Sequence, residues 1–490
     1  MNPRRTPLSV IAALLLAAAA TPAAAVGRGG HDGHATNVPC DTTALITAIE
    51  NANTAGGGTL SLARNCHYTL TSAYNSTDNG LPAITQRITV KGNGATIERT
   101  GGGDFRILEV DGPTGNFSAY DLTITGGQFT SSSLYGAGVY VQPGATLSLT
   151  DSAVSDNTNA GDGGGIGNFG YTALAHTTVT GNTASDGGGI YSVGKVVVTD
   201  RSQLNNNTVS SNGGALYTQG GTAYIERSTL DSNTAGSGGA LFDEFGTIEL
   251  DDSAVTNNTA SSSGGGLYNV DNVILRSTRF ENNTSSGDAG AIYNGSALKA
   301  YDLWVKNNTA SGNGGGINTT EALDLQGGVI TGNQATGSGA LGGGIYNSFV
   351  LNIRDTQITG NQATSNGGGL YTVDNTDMSR TTVSNNTVTD TSGQGAGIWN
   401  DETLTLNDSK ITDNHATGTS SLGGGIYNTG SDTAGNLQFL NTKVTGNSAS
   451  DAGGVWTDTQ FRVFQHSTIA NNTPSNCTGS GISPVNYCTN

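Results

Sequence analysis

Charge is scarce in this chain, and positive charge is scarcer. Only 12% of the 490 residues are charged, and 20 basic against 38 acidic residues leave a net charge of -18. No basic patch is visible, which excludes a partner held through a polyanionic backbone such as DNA. Polyuronates meet the same repulsion unless calcium or a local arginine cluster intervenes. Long apolar runs are absent after the first 25 residues, so no later segment is expected to span a bilayer. The four cysteines have no metal-site spacing with histidine, and metal ligation is not expected. So polar a composition would suit a disordered chain. The apolar residues, however, fall at fixed positions from residue 130 to 475, and disorder gives no reason for that.

The N-terminus does carry an apolar run. Arg4 and Arg5, the stretch Leu8 to Ala20 and Ala23-Ala24-Ala25 read as a secretory signal peptide, residues 1–25, cut after Ala25. The flanks of the paired arginines fit the twin-arginine route poorly, so the general export route is expected. Residues 26–39 read as a mobile tail in which His31 and His34 are solvated. Cysteines in an exported chain form disulfides. Of three possible pairings, Cys40 with Cys66 and Cys477 with Cys488 is expected, because each pair sits at one end of the repeats described next.

Thirteen asparagines recur from Asn157 to Asn472, and nine of the twelve gaps between them are 25 or 26 residues. The three longer gaps all follow Asn333. Three residues before each stands an apolar residue, from Val154 to Ile469, without exception. Five before it stands Ser or Thr in eleven of thirteen cases. Between successive asparagines comes Gly-Gly, an aliphatic and an aromatic, as in Gly266-Leu267-Tyr268-Asn269. Period-two alternation broken by Gly, Asn and Ser means strands, three to a turn, stacked as a solenoid. Equivalent residues then lie roughly 4.8 Å apart, so each column of the alignment becomes a ladder. About sixteen turns make a rod of about 75 Å. The Asn belongs at a turn, its amide bonding to backbone and to the Asn of the next turn. Gly-Gly is expected to supply the positive-φ residues of the sharp corner.

With these columns in place, the chain resembles right-handed parallel β-helix proteins of the pectin-lyase-like superfamily. Within them it is similar to secreted bacterial repeat proteins and to polymorphic outer-membrane protein passengers, with their GGA-I and F-x-x-N motifs. Those motifs stand here as Gly239-Ala240-Leu241, Gly290-Ala291-Ile292 and Phe280-Glu281-Asn282-Asn283. The resemblance implies an all-β solenoid. It leaves the activity open, since such proteins include lyases, hydrolases, adhesins and inert scaffolds. Residues 40–130 are less regular: a cysteine-led amphipathic helix resembling the usual N-terminal cap, then early turns with strands near Ile88, Ala95, Ile107 and Leu122. Residues 131–475 hold the regular repeats and 476–490 a disulfide-stapled C-terminal cap.

Two features are candidates for function. The aromatic column runs through Tyr140, Tyr191, Tyr217, Phe242, Tyr268, Tyr293, Tyr346, Tyr371, Trp399, Tyr427 and Trp456, interrupted at Gly167 and Asn318. Facing outward, such rings suit sugars, and Tyr268, Tyr293, Tyr371, Trp399, Tyr427 and Trp456, with Trp304 elsewhere, are the expected ligand-binding residues. Rings that strengthen the sheet are the plainer reading. The second feature breaks the repeat: Arg279 and Glu281 should stack beside Trp304 and Lys306. Glu281 would serve as acid or base and Arg279 or Lys306 would hold an anionic group. A surface charge cluster is the plainer reading here too. Asp243, Glu244 and Asp271 offer oxygen ligands for calcium or form an exposed acidic turn; no other cofactor is implied. His176 and His466 share a column but lie ten or more turns apart and cannot act together. The function expected is a secreted, monomeric, non-enzymatic repeat protein that binds carbohydrate or another surface. A polysaccharide lyase or glycoside hydrolase is the alternative. An autotransporter is disfavoured by the lack of barrel strands.

Overall fold

The computed structural model describes residues 35–430, 437–459, 461–463, 466–479 and 488. The expected signal peptide, together with His31 and His34, lies outside them. One turn illustrates why the sequence coils. Thr247–Asp251 alternates outward Thr, Glu and Asp with inward Ile248 and Leu250, and Ala254–Thr256 buries Val255. Thr259–Ala260 and Leu267–Asn269 complete the circuit. Most regular turns therefore have four strand segments, not three; Leu298–Lys306 and Leu323–Thr331 are each one unbroken strand, and their turns keep three. The additional break is a residue in the left-handed region, here Asp252 at φ 45°, which bends one long strand into two that stay in the same sheet.

Stacking about 17 such turns gives a right-handed parallel β-helix with three sheets. The largest sheet has 29 strands; the second has 12, each of two residues; the third has 15. All their strand pairings are parallel, and in the regular repeats they are in register, as in Val255 to Phe280 and Phe280 to Val305; in the first turns the register shifts between Lys91 and Ala95. The apolar residue three before each ladder asparagine is buried throughout, in one core that runs the length of the rod.

The asparagines sit at a corner and form the expected ladder. Asn258 Nδ2 donates to Asn283 Oδ1 at 2.9 Å and to the Leu230 carbonyl at 3.1 Å, and the Asn258 backbone N–H donates to the same Asn283 oxygen at 3.0 Å. The sharp backbone turn belongs to the residue before, Asn257 at φ 56°. At the far end Asn472 donates to Asn476 Oδ1 at 3.0 Å, so a residue four positions on closes the ladder. Gly-Gly divides its duties differently from expectation. Gly264 has φ +69°, whereas Gly265 is needed because a Cβ there would lie 2.2 Å from the Gly290 carbonyl oxygen.

The N-terminal end is closed by the helix Thr42–Thr54, whose start is capped by the Asp41 carboxylate accepting from the Ala44 N–H at 2.8 Å. It buries Leu45, Ala48, Ile49 and Ala52 against the first turns. Thr36–Val38, within the stretch expected to be a mobile tail, is a strand paired with Leu60–Leu62. The disulfides are Cys40–Cys66 and Cys477–Cys488, one at each end. Among the described residues no helix is long and apolar enough to cross a membrane.

Candidate functional site

The aromatic column is in register on the outer side of the 15-stranded sheet. Its rings lie face against face. Tyr268 and Tyr293 are 4.4 Å apart at 11°, Tyr371 and Trp399 4.2 Å at 8°, and Tyr427 and Trp456 4.4 Å at 4°. Each interior ring thus spends its faces on its neighbours and turns an edge outward. Six of the expected ligand residues are brought into this one ladder, and Trp304 stands apart on the largest sheet. Burial pushes the Tyr371 hydroxyl up to about 12 and raises Tyr217 as well, whose hydroxyl also donates to Glu244. Trp399 Nε1 donates to Gln394 at 3.2 Å.

The two interruptions differ. At Gly167 the ladder continues, because Tyr135 from the preceding turn leans in, 6.3 Å from Tyr140 and 5.4 Å from Tyr191. A Cβ on Gly167 would meet Tyr135 Cβ at 3.0 Å and the Gly136 nitrogen at 2.8 Å. Gly167→Ala is accordingly expected to destabilise by about 1–3 kcal/mol, measured by chemical denaturation, with the tyrosine near-UV signal altered. At Asn318 the stack parts, leaving separate stacks that end at Tyr293 and begin at Tyr346.

The charged group on the largest sheet is assembled as the columns imply. Arg279 lies beside Trp304, and Glu281 beside Lys306. The Trp304 side of this face is open to water, with 49% of the residue exposed, and Arg279 and Lys306 are exposed too. Glu281 and Lys306 form no salt bridge with each other; the nearest ion pair on this sheet joins Arg276 to Glu249.

The acidic group near residue 243 is not an exposed turn. Asp243 is fully buried, facing inward in a second polar column with Thr218 and Asn269. Its Oδ1 accepts from Thr218 Oγ1 at 2.6 Å and its Oδ2 has no partner. Burial pushes this carboxyl up to about 6. With Asp243 inside, Glu244 on Tyr217 and Asp271 do not converge on one cation, and no His/Cys/Asp/Glu group among the described residues is arranged for a metal.

Two arrangements escaped the sequence reading. Arg106, 5% exposed, lies between the rings of Phe129 and Tyr140, 5.1 and 4.9 Å from their centroids. Its Nη1 donates to Asn79 Oδ1 at 2.9 Å and approaches Glu109 at 3.5 Å; Asn79 and Gln142 both donate to Glu109. This network starts the aromatic ladder, because Glu109 is in register with Tyr140. Following that column one turn upstream would have found it. The second is a set of cross-turn pairs at the bend of the largest sheet: His176 with Asp151, Arg227 with Asp200 at 3.1 Å, and Arg380 with Asp355 at 2.6 and 2.8 Å. The first pair borders an open groove of about 310 Å³ with Asp121, Arg201 and Gln203. The signal was the residue 25 before His176, not the distant His466. Exposed pairs of this kind are screened by water and add little to stability.

Comparison with known proteins bears on the fold and the repeats. The right-handed beta helix region family matches residues 286–444. The Chlamydia polymorphic membrane protein repeat matches residues 176–193 and 202–219, away from the motifs that first suggested it. No curated protein matches the chain. Among solved structures it is similar to the A-module of the Azotobacter vinelandii mannuronan C-5 epimerase AlgE6, 14% identical, over 91% of this chain and 100% of that one. The TM-score is 0.27, too low to carry an argument. The chain is a right-handed parallel β-helix repeat protein. Its repeats resemble those of the polymorphic membrane proteins, and together with the two disulfides they fit a surface or secreted protein.

Proposed function

We propose that the protein acts outside the cell as a rod that binds carbohydrate, or another polymer surface, along its length without cleaving it. The observation that carries this reading is Trp304, an indole half open to water beside the Arg279 guanidinium. A sugar ring stacks on such a face, and the neighbouring cations donate to its hydroxyls. Cleavage is the weaker reading because Glu281, Arg279 and Lys306 stand on the outer face of a sheet reached by water. There the fixed dipoles that stabilise a transition state are screened.

Retention on a panel of plant, algal and microbial polysaccharides tests this. Trp304→Ala is expected to weaken the retained interaction roughly tenfold, the loss of about 1.4 kcal/mol from one aromatic contact, with melting unchanged. Release of sugar ends by the wild type that Glu281→Gln abolishes would establish the lyase or hydrolase reading instead. The stacked rings of Tyr371, Trp399, Tyr427 and Trp456 are expected to add contact through edges and hydroxyls only. Alanine at Tyr427 should therefore lower stability more than it lowers binding.

A further inference from the structure

The 12-stranded sheet has an outer face unlike the rest of the rod. Its first outward column begins at Gln128 and then, one residue after each ladder asparagine, reads Thr158, Thr183, Thr208, Thr234, Thr259, Thr284, Thr309, Gln334, Gln362, Thr387 and His415, continued past the sheet by Ser448 and Thr473 through isolated bridges. Neighbours are in register from turn to turn, as in Thr234 to Thr259 and Thr259 to Thr284. The second outward column, two residues further on, holds only Ala, Gly, Ser and Thr. No Asp, Glu, Lys or Arg stands in either column, in a chain with 58 such residues (20 basic and 38 acidic). Between them point small buried residues, among them Ala235, Ala260 and Ala310, which hold the sheet close to the core.

The threonine hydroxyls are also unspent. From Thr158 to Thr309, seven successive turns, none of the column's hydroxyls makes a hydrogen bond to another of the described residues, and six of the seven threonines are exposed. The buried Ser and Thr hydroxyls at the bend of the largest sheet, by contrast, are used: Thr177, Ser202, Ser228 and Ser253 all bond to backbone. The result is a rigid strip of free donors and acceptors spaced roughly 4.8 Å along the rod, with a second column roughly 6.6 Å to the side.

We infer that this face docks on an ordered, uncharged polysaccharide, the surface of a crystalline glucan or chitin-type solid. The absence of charge removes any preference for an ionic polymer, and the net charge of -18 repels an anionic one. Hydroxyls that both donate and accept match sugar hydroxyls without a desolvated charge. One such bond is worth only about 0.5–1.5 kcal/mol net. Several made at once by a rigid strip add up only if the partner is itself periodic and already ordered, because a flexible chain loses its freedom on docking. The solid is therefore favoured over soluble oligosaccharides. This inference rests on the carbohydrate reading above but not on Trp304, which lies on another sheet.

The test uses the whole protein and pull-down on crystalline cellulose and crystalline chitin, with soluble oligosaccharides of each as competitors. A parallel arm measures inhibition of ice recrystallisation, since ice is the other ordered hydroxyl lattice. Wild type is expected to be retained on one of the solids, with soluble competitors ineffective. Thr234→Val, Thr259→Val and Thr284→Val together keep shape and strand preference, so melting should hold while retention falls at least tenfold. Retention of the triple variant equal to wild type would overturn the inference, as would competition by soluble sugar or activity on ice alone. Loss with Trp304→Ala and not with the triple variant would sink this inference and leave the broader reading standing. If no polysaccharide retains the wild type, both this inference and the carbohydrate reading fall.

Discussion

Asn258→Ala is expected to destabilise the protein by about 4 kcal/mol, with two orphaned buried groups at about 1–3 kcal/mol each and the remaining lost bonds adding to them. Asn258 Oδ1 accepts from the Asn233 backbone N–H at 2.8 Å and from Asn233 Nδ2 at 3.0 Å. Its own Nδ2 serves the Leu230 carbonyl and Asn283 Oδ1. Alanine removes all four bonds. The Asn233 N–H is left buried in a site that water does not reach, and the Leu230 carbonyl loses a donor. Because each turn touches only its neighbours, the damage concentrates at two interfaces of the stack. Chemical denaturation should show a lower midpoint. Asn282→Gly, the equivalent position one turn on, makes the control: that residue is exposed and already at φ 57°, and its side chain bonds to no described residue, so glycine should change stability by no more than about 0.5 kcal/mol. Equal effects at the two positions would mean the ladder bonds are not what holds the corner.

Asp243→Asn is expected to stabilise, and to do so only at neutral and alkaline pH. In other turns the same column uses an amide: Asn269 Nδ2, one turn on, donates to Asn294 Oδ1 at 2.8 Å, and Asn400 Nδ2, further along, to Asn428 Oδ1 at 2.7 Å. Asp243 puts a carboxylate oxygen where those residues put a donor, and Oδ2 stays unpartnered. Burial raises the folded pKa from 3.8 to about 6, so the folded state favours the neutral acid. The associated stability is fully present below pH 3.8 and is lost as pH rises through about 6. A rise of that size corresponds to roughly 3 kcal/mol. At pH 8 the Asn variant should therefore melt higher than wild type, and near pH 4 the two should nearly coincide. Asp162, also raised to about 6 by burial and by Asp186, keeps a residual slope of the same sign in both proteins. Parallel melting profiles across this range would contradict the buried, protonated Asp243.

Where the chain repeats, its sequence is a ruler. The spacing of Asn157 to Asn472 foretells the amide ladder, and the register it sets already places Arg279 beside Trp304. The terminal disulfides follow from the same ruler, since each pair sits beyond one end of it. Its failures have physical causes. A left-handed residue such as Asp252 shifts the alternation by one place, so that buried Leu250 and Val255 stand five apart; polar residues alone mark the shift, and two strands read as one. Tyr135 enters the aromatic ladder from a loop, and only the missing side chain at Gly167 marks the space it fills. Asp243 looks like surface charge because its column also tolerates Asn, Ser and Thr, all of which are buried there. Arg106 and Glu109 lie in the first turns, where no earlier repeats exist to align, although Glu109 shares a column with Tyr140. The threonine column stands in the sequence but carries no signal of its own. Threonine after asparagine reads as a sequence habit until the structure leaves its hydroxyls unpaired.

That this rod holds a polymer without cutting it is tested most directly by prolonged incubation of the wild-type protein with the polysaccharide that retains it best. Chain length and newly formed reducing or unsaturated ends are followed together. Retention with chain length constant and no new ends is the expected result. A steady release of ends in proportion to protein concentration would contradict it.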